Sequence, residues 1–214
     1  MSTLKYFSIL FFVVFSGYAC QKDALSYDIE GIITDLNTKD VISGLTVKMY
    51  QKEYKSGVLT NSYTYLGETV TDSEGRYSFN IERSKIYEIK LEIDDPNYYF
   101  YEVSYGSSLL TTEGTNVFNE KIESRSWLAI ILENPFVGPD EQLNINKTKF
   151  KEDCEACCSN GTVSFIETGD TTFVCATVGG ADVILNYGVV GSNNQFSKTI
   201  SCIPFDTTFF TISY

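Results

Sequence analysis

Five of the six cysteines, Cys154, Cys157, Cys158, Cys175 and Cys202, fall in the last third of the chain. Three chemistries fit them. Disulfides are the default in an exported protein, and they suit a region too small to bury a large core by itself. A cysteine-only zinc site would join Cys154-x-x-Cys157 to Cys175 and Cys202, but an exported chain meets oxidant before it meets metal. A redox Cys-x-x-Cys pair would need a thioredoxin-like βαβ setting, and no such pattern surrounds it. Disulfides are therefore the expectation, with no metal and no cofactor. Adjacent Cys157 and Cys158 point to opposite sides of an extended backbone, so they are expected to take different partners.

Histidine is absent from all 214 residues. That removes Ser-His-Asp and Cys-His catalysis and most zinc hydrolases. Carboxylate-pair chemistry survives, since a glycosidase needs only two Asp or Glu about 5 to 10 Å apart. Short β runs offer no deep cleft for such a pair, so no catalytic residue is assigned, and a small envelope hydrolase remains only as an alternative. Acidic turns at Asp72, Glu74, Asp94 and Asp95 match no calcium-loop spacing. Sixteen basic against 28 acidic residues give a net charge of −12. Such a surface repels phosphate backbones, so nucleic acid is excluded as a partner. The remaining chemistry is aromatic. On a strand Tyr99, Tyr101 and Tyr105 share one face, which makes them a candidate binding row for sugars or peptides, with packing in the core as the alternative.

Residues 1–19 read as a signal peptide. Lys5 supplies the positive charge, Phe7 to Phe15 is an apolar run too short to span a bilayer, and Gly17-Tyr18-Ala19-Cys20 closes it. The ending resembles a bacterial lipobox. That resemblance implies that Cys20 is lipidated, that residues 20–26 form a tether, and that the lipid makes the membrane a partner. Gln21 is not the aspartate of an inner-membrane retention signal, so the expected address is the outer membrane of a Gram-negative bacterium, facing the periplasm or the cell surface. Lipid on Cys20 leaves five cysteines, hence two disulfides and one leftover thiol.

From Tyr27 onward the chain runs in short alternating apolar and polar stretches bounded by Gly, Asn, Asp and Pro. Tyr27–Leu36, Leu45–Tyr54, Ser62–Thr71, Arg76–Ile81, Ile86–Ile93, Tyr98–Tyr105 and Trp127–Leu132 make seven strands, with a short one near Val117. Gly67 to Phe79 reads as a hairpin whose turn is set by Asp72, Ser73 and Gly75. Ile29, Ile32, Leu45, Val47, Val70, Tyr77, Phe79, Ile89, Leu91 and Ile93 are the expected core, and Trp127 is expected to pack. Pro135, Gly138 and Pro139 break the pattern and put a boundary between domains at 27–133 and 140–214. Six further strands follow: 142–146, 162–167, 172–178, 183–190, 194–202 and 208–214. The fold class is all-β, two tandem β-sandwich domains, the second small and cysteine-containing.

Three pieces of the first half are similar to a carboxypeptidase regulatory-like domain, the transthyretin-like Greek-key sandwich: Gly31-Ile32-Ile33, Ser43-Gly44-Leu45-Thr46-Val47, and Thr71-Asp72-Ser73-Glu74-Gly75-Arg76-Tyr77-Ser78-Phe79. The resemblance implies a folding or interaction module without catalytic residues of its own. The expected function is a non-catalytic, lipid-anchored cell-envelope interaction or structural module, with a glycan or another envelope protein as partner. A glycan-binding surface lipoprotein of a polysaccharide-uptake system is the alternative.

Overall fold

The computed structural model describes residues 25–148, 151, 154, 157, 158 and 161–214. The predicted signal peptide and Cys20 lie outside them. The protein is built from two tandem β-sandwiches, each made of two sheets packed over an apolar core.

In the first unit, β1 (Ser26–Asp35) pairs antiparallel with β5 (Arg76–Glu82) and parallel with two short segments, β8 (Thr115–Val117) and β9 (Glu120–Ile122). The facing sheet is centred on β2 (Thr46–Lys55). It is flanked on one side by β3 (Val58–Leu59) and β4 (Thr64–Val70), and on the other by β6 (Ile86–Ile93) followed by β7 (Tyr101–Gly106). The period of two buries Ile29, Ile33, Val47, Met49, Ile89, Leu91 and Ile93 between the sheets. Gly31 also points inward, where an added Cβ would stand 1.7 Å from the Phe118 carbonyl oxygen. Only glycine lets the β8–β9 corner approach this closely.

In the second unit, β10 (Arg125–Glu133) lies between β13 (Thr171–Val178) and β16 (Thr207–Ser213), the latter parallel to it. The other sheet has the order β12 (Gly161–Ile166), β11 (Gln142–Thr148), β14 (Asp182–Val189), β15 (Phe196–Ser201). Leu128, Ile130, Leu132, Leu143, Ile145, Leu185 and Ile212 fill the space between.

Four sequence expectations change. The apolar strand at 127–132 belongs to the second unit: it hydrogen-bonds to β13 and β16, so the units meet at Glu123–Ser124 rather than at 134–140. A strand's own alternation shows that one face is buried, not against which sheet. For the same reason Gly67–Phe79 is not a hairpin. Its turn is as read, with Asp72 Oδ1 accepting from the Glu74 and Arg76 amides and Gly75 at φ 72°. Its arms, however, pair with different sheets, β4 with β2 and β5 with β1. Buried Thr71 fixes this crossover, donating from Oγ1 to the Ile42 carbonyl and accepting the Leu45 amide. Val70 then points outward, 57% exposed, and Ile33 rather than Ile32 faces the core. Trp127 packs half-buried on the outer face of β10, since Leu128, Ile130 and Leu132 take the inner one.

The connector is short and tied on both sides. Asp35, itself buried, accepts the Ser124 amide at 3.3 Å, the Tyr99 amide reaches the Glu123 carbonyl at 2.9 Å, and the Gly179 amide reaches the Ser124 carbonyl at 2.9 Å. Across this joint the rings of Tyr98 and Phe205 meet edge to face, 5.4 Å apart.

Candidate interaction face

The solvent side of the β2-centred sheet carries a concentration of tyrosines set among paired charges. Val47 and Met49 point inward on β2, so Lys48, Tyr50, Lys52 and Tyr54 point outward. On β6 the buried Ile89, Leu91 and Ile93 leave Glu88, Lys90 and Glu92 outward, and β7 adds Glu102 and Ser104. The register places Tyr65, Tyr50, Lys90 and Ser104 in one row across four strands.

Two bulges shape this face. Between Met49 and Tyr50 the pairing of β2 with β4 skips Leu66, which packs on the core and leaves Tyr65 opposite Tyr50. Between Lys52 and Glu53 the pairing with β6 skips Tyr87, which turns out to meet Tyr54 edge to face at 5.7 Å. Tyr50 and Tyr65 meet likewise at 5.5 Å.

Lys90 is the hub. Its ammonium lies 3.0 Å from both Glu92 and Glu102, 5.0 Å from the centre of the Tyr50 ring and 4.9 Å from that of Tyr63. Burial pulls the lysine pKa down, but the hydrogen bonds to Glu102 and Glu92 outweigh it, and Lys90 stays above its ordinary range. Glu92 feels burial in the opposite sense. Its bonds to Lys90 and Tyr50 outweigh that and hold it below the usual carboxylate value. Tyr63 spans the rows, donating to Glu88 at 2.7 Å and lying 3.1 Å from Ser104 Oγ, with Lys52 over its ring.

The tyrosines singled out from sequence are elsewhere, and they do not form one exposed row. Tyr101 and Tyr105 pack against the first core and donate to Glu120, a carboxylate only 7% exposed on β9. Burial first, and then those bonds, push both phenols above their ordinary pKa. Together they clamp the edge of one sheet to the other. Tyr99 precedes β7 and turns into the joint between the units, donating to the Thr177 carbonyl at 2.9 Å with Arg125 and Lys151 over its ring. The aromatic run from Tyr98 to Tyr105 is not one strand, since β7 begins only at Tyr101. A signal for this face was present in Val47-Lys48-Met49-Tyr50-Gln51-Lys52-Glu53-Tyr54, where Val47 and Met49 set the inward phase and every outward position is a lysine or a tyrosine.

The cysteines form Cys154–Cys157 and Cys158–Cys175 disulfides, and Cys202 is a free, buried thiol. Adjacent Cys157 and Cys158 do take different partners. Burial pushes the Cys202 thiol pKa up, which makes it a poor nucleophile. Among the described residues no cluster of three or more His, Cys, Asp or Glu is placed to hold a metal.

A cleft of about 370 Å³ opens at the joint, lined by Asn37, Glu123, Lys151, Thr177 and Asp182 among others. Its carboxylates are engaged, Glu123 by Lys151 and Asp182 by the Ser201 hydroxyl at 2.6 Å.

No family model matches the sequence, and no curated protein does. Among solved structures the chain is similar to the Bacillus anthracis TIE protein, at 11% identity over 88% of this chain and 34% of that one, with a TM-score of 0.39. It thus spans about a third of that protein's length. It is also similar to the minor pilin GBS52 of Streptococcus agalactiae, at 12% identity, 87% and 94% coverage and a TM-score of 0.38. A third is the shaft pilin SpaA of Lactobacillus rhamnosus GG, at 7% identity, 88% and 97% coverage and a TM-score of 0.35. At these scores the functional reading rests on the side chains.

Proposed function

We propose that the protein is a non-catalytic interaction module of the bacterial cell envelope, anchored in the outer membrane by lipid on Cys20, and that it works through the tyrosine face of its first unit. The observation that carries this reading is the outward placement of Tyr50, Tyr54, Tyr63, Tyr65 and Tyr87 on one sheet. Folding requires apolar residues only on the inner face, and an outward strand position is satisfied by any polar side chain. Tyrosine there adds contact area at low entropic cost, which is the composition of binding surfaces.

The address rests on the residues up to Cys20, and the two disulfides suit an oxidising compartment. The carboxypeptidase regulatory-like resemblance fits the same reading. Its Gly31 serves a close backbone approach and its Asp72–Gly75 turn a crossover between sheets, both architectural roles.

Two measurements test the proposal. Labelled palmitate is expected in the wild type and not in Cys20→Ala, and equal labelling of both removes the anchor. Wild type is expected to be retained on isolated envelope material. Truncating Tyr50 and Tyr65 to alanine should weaken that retention about five- to hundredfold, the range of a binding hot spot, while the protein keeps its β circular-dichroism spectrum and a cooperative melting transition. Retention that is absent in the wild type, or equal in both proteins, overturns the reading.

A further inference from the structure

We infer that the ligand of the tyrosine face is an uncharged polysaccharide, bound as an extended chain along β2; this rests on the interaction reading above. The first argument is charge. Lys90 is shared by Glu92 and Glu102 at 3.0 Å each, and Lys52 lies 3.8 Å from Glu88. A polyanion would have to compete with these carboxylates for the lysines, on a chain whose net charge is −12. A polycation would have to displace the lysines from the carboxylates. A neutral polyol does neither.

What the lattice leaves free suits hydroxyl groups. Two of the three Lys90 N–H donors are taken by Glu92 and Glu102, and each paired carboxylate keeps unused lone pairs, so donors and acceptors alternate over a few ångströms. A sugar hydroxyl is both donor and acceptor. The exposed rings supply the other half of the recognition: the C–H face of a pyranose is apolar and faintly positive, and it complements the negative face of a tyrosine. Tyr65 is 51% exposed, and Tyr54 and Tyr87 are exposed at the other end.

Spacing sets the form of the ligand. Tyr50 and Tyr54 are four residues apart on one strand, about 13 Å. One sugar ring cannot touch both aromatic pairs, whereas a chain laid along the strand touches both and crosses Tyr63 between them. A protein partner fits less well, because the core of a protein interface is depleted of charge, and here lysine and glutamate sit between the rings.

The full-length protein, its Tyr65→Ala variant and Phe209→Ser as an off-face control are run by affinity electrophoresis. The gels contain starch, mixed-linkage β-glucan, galactomannan, xylan or the protease-treated envelope polysaccharide, with alginate and polygalacturonate as the charged arm. Titration then compares mono-, di- and hexasaccharides of the retained polymer. The proposal expects retardation by at least one neutral polymer, insensitive to added salt, and at least about tenfold weaker in Tyr65→Ala at unchanged melting. Phe209→Ser should match the wild type, and the hexasaccharide should bind more tightly than the disaccharide.

Retardation by the charged polymers alone, by no polymer, or equally for Tyr65→Ala overturns it. If no neutral polymer retards the protein while envelope retention still depends on Tyr50 and Tyr65, the glycan assignment falls and the interaction face stands with a protein partner. If neither depends on them, both readings fall.

Discussion

The two sandwiches answer the same packing problem and differ in what they turn outward and in what locks them. The first unit shows solvent a lattice of tyrosines and paired charges. The second shows, on the outer side of β13–β10–β16, half-buried Trp127 and Ile131 with Val174 and Phe209, the last 68% exposed, on either side of a buried Ala129. A surface of the second kind excludes water but specifies no partner chemistry. The first kind arranges donors, acceptors and ring faces in fixed register, which is what the proposed discrimination among ligands requires.

The locks differ in parallel. The first unit uses buried polar groups, Thr71 at the crossover and Glu120 under Tyr101 and Tyr105, together with the close approach at Gly31. The second uses covalent links, with Cys158–Cys175 closing 17 residues onto β13. A unit that already satisfies its interior by directional bonds needs no staple, while one with a small core profits from it.

The most severe way to break this contrast is Gly31→Ala. The new Cβ would overlap the Phe118 carbonyl oxygen at 1.7 Å and crowd the Tyr77 ring at 2.8 Å. Backbone on the far side cannot yield cheaply, so a loss of about 4 kcal/mol or more is expected, confined to the first unit. Amide exchange should lose protection in β1, β5 and β8, while the fluorescence transition of Trp127, the lone tryptophan, moves less. A transition that shifts as far as the first unit would show that the two do not unfold separately.

Removing Cys158–Cys175 with paired serines addresses the other unit. A loop of this length is worth about 3 kcal/mol by its constraint on the unfolded chain. The Trp127 transition should move to lower denaturant, with first-unit exchange unchanged. Cys154–Cys157 closes only three residues and should matter less. An unmoved transition in the Cys158, Cys175 variant would take the staple out of the account.

Alkaline titration is the mildest probe, and the phenols that burial raises most lie in the first unit. Tyr77, Tyr101 and Tyr105 have folded pKa values raised above 10.0, chiefly by burial. Their contribution is complete below 10.0 and is lost as pH rises through the folded values, because the unfolded chain ionises first. Lys147 in the second unit lies over the Phe173 ring, and burial holds its pKa below the ordinary 10.5. The stability it withholds at neutral pH returns as pH rises through its folded value toward 10.5. Above pH 10 the first unit should therefore lose more exchange protection than the second, where Lys147 opposes the raised Cys202 and Tyr214. Tyr101→Phe should flatten the first response, and a uniform loss in both units would contradict the assignment.

The sequence by itself determined the long strands, though not short β3 and β9 or the start of β7, together with the turn at Asp72–Gly75, the divergent partners of Cys157 and Cys158, and the all-β tandem architecture. These are properties of neighbouring residues: a period of two, a side chain bonding its own backbone, a positive φ that glycine accepts. Only the tertiary structure decided which strands are neighbours. That sent β10 to the second unit, split Gly67–Phe79 between two sheets, buried Tyr101 and Tyr105 on Glu120 and gathered Tyr50, Tyr63, Tyr65 and Lys90 from three stretches of the chain onto one face. Alternation fixes that a strand has an inside, but hydrogen bonding between strands is almost indifferent to side-chain identity. The partner is chosen by long-range packing that no local pattern records.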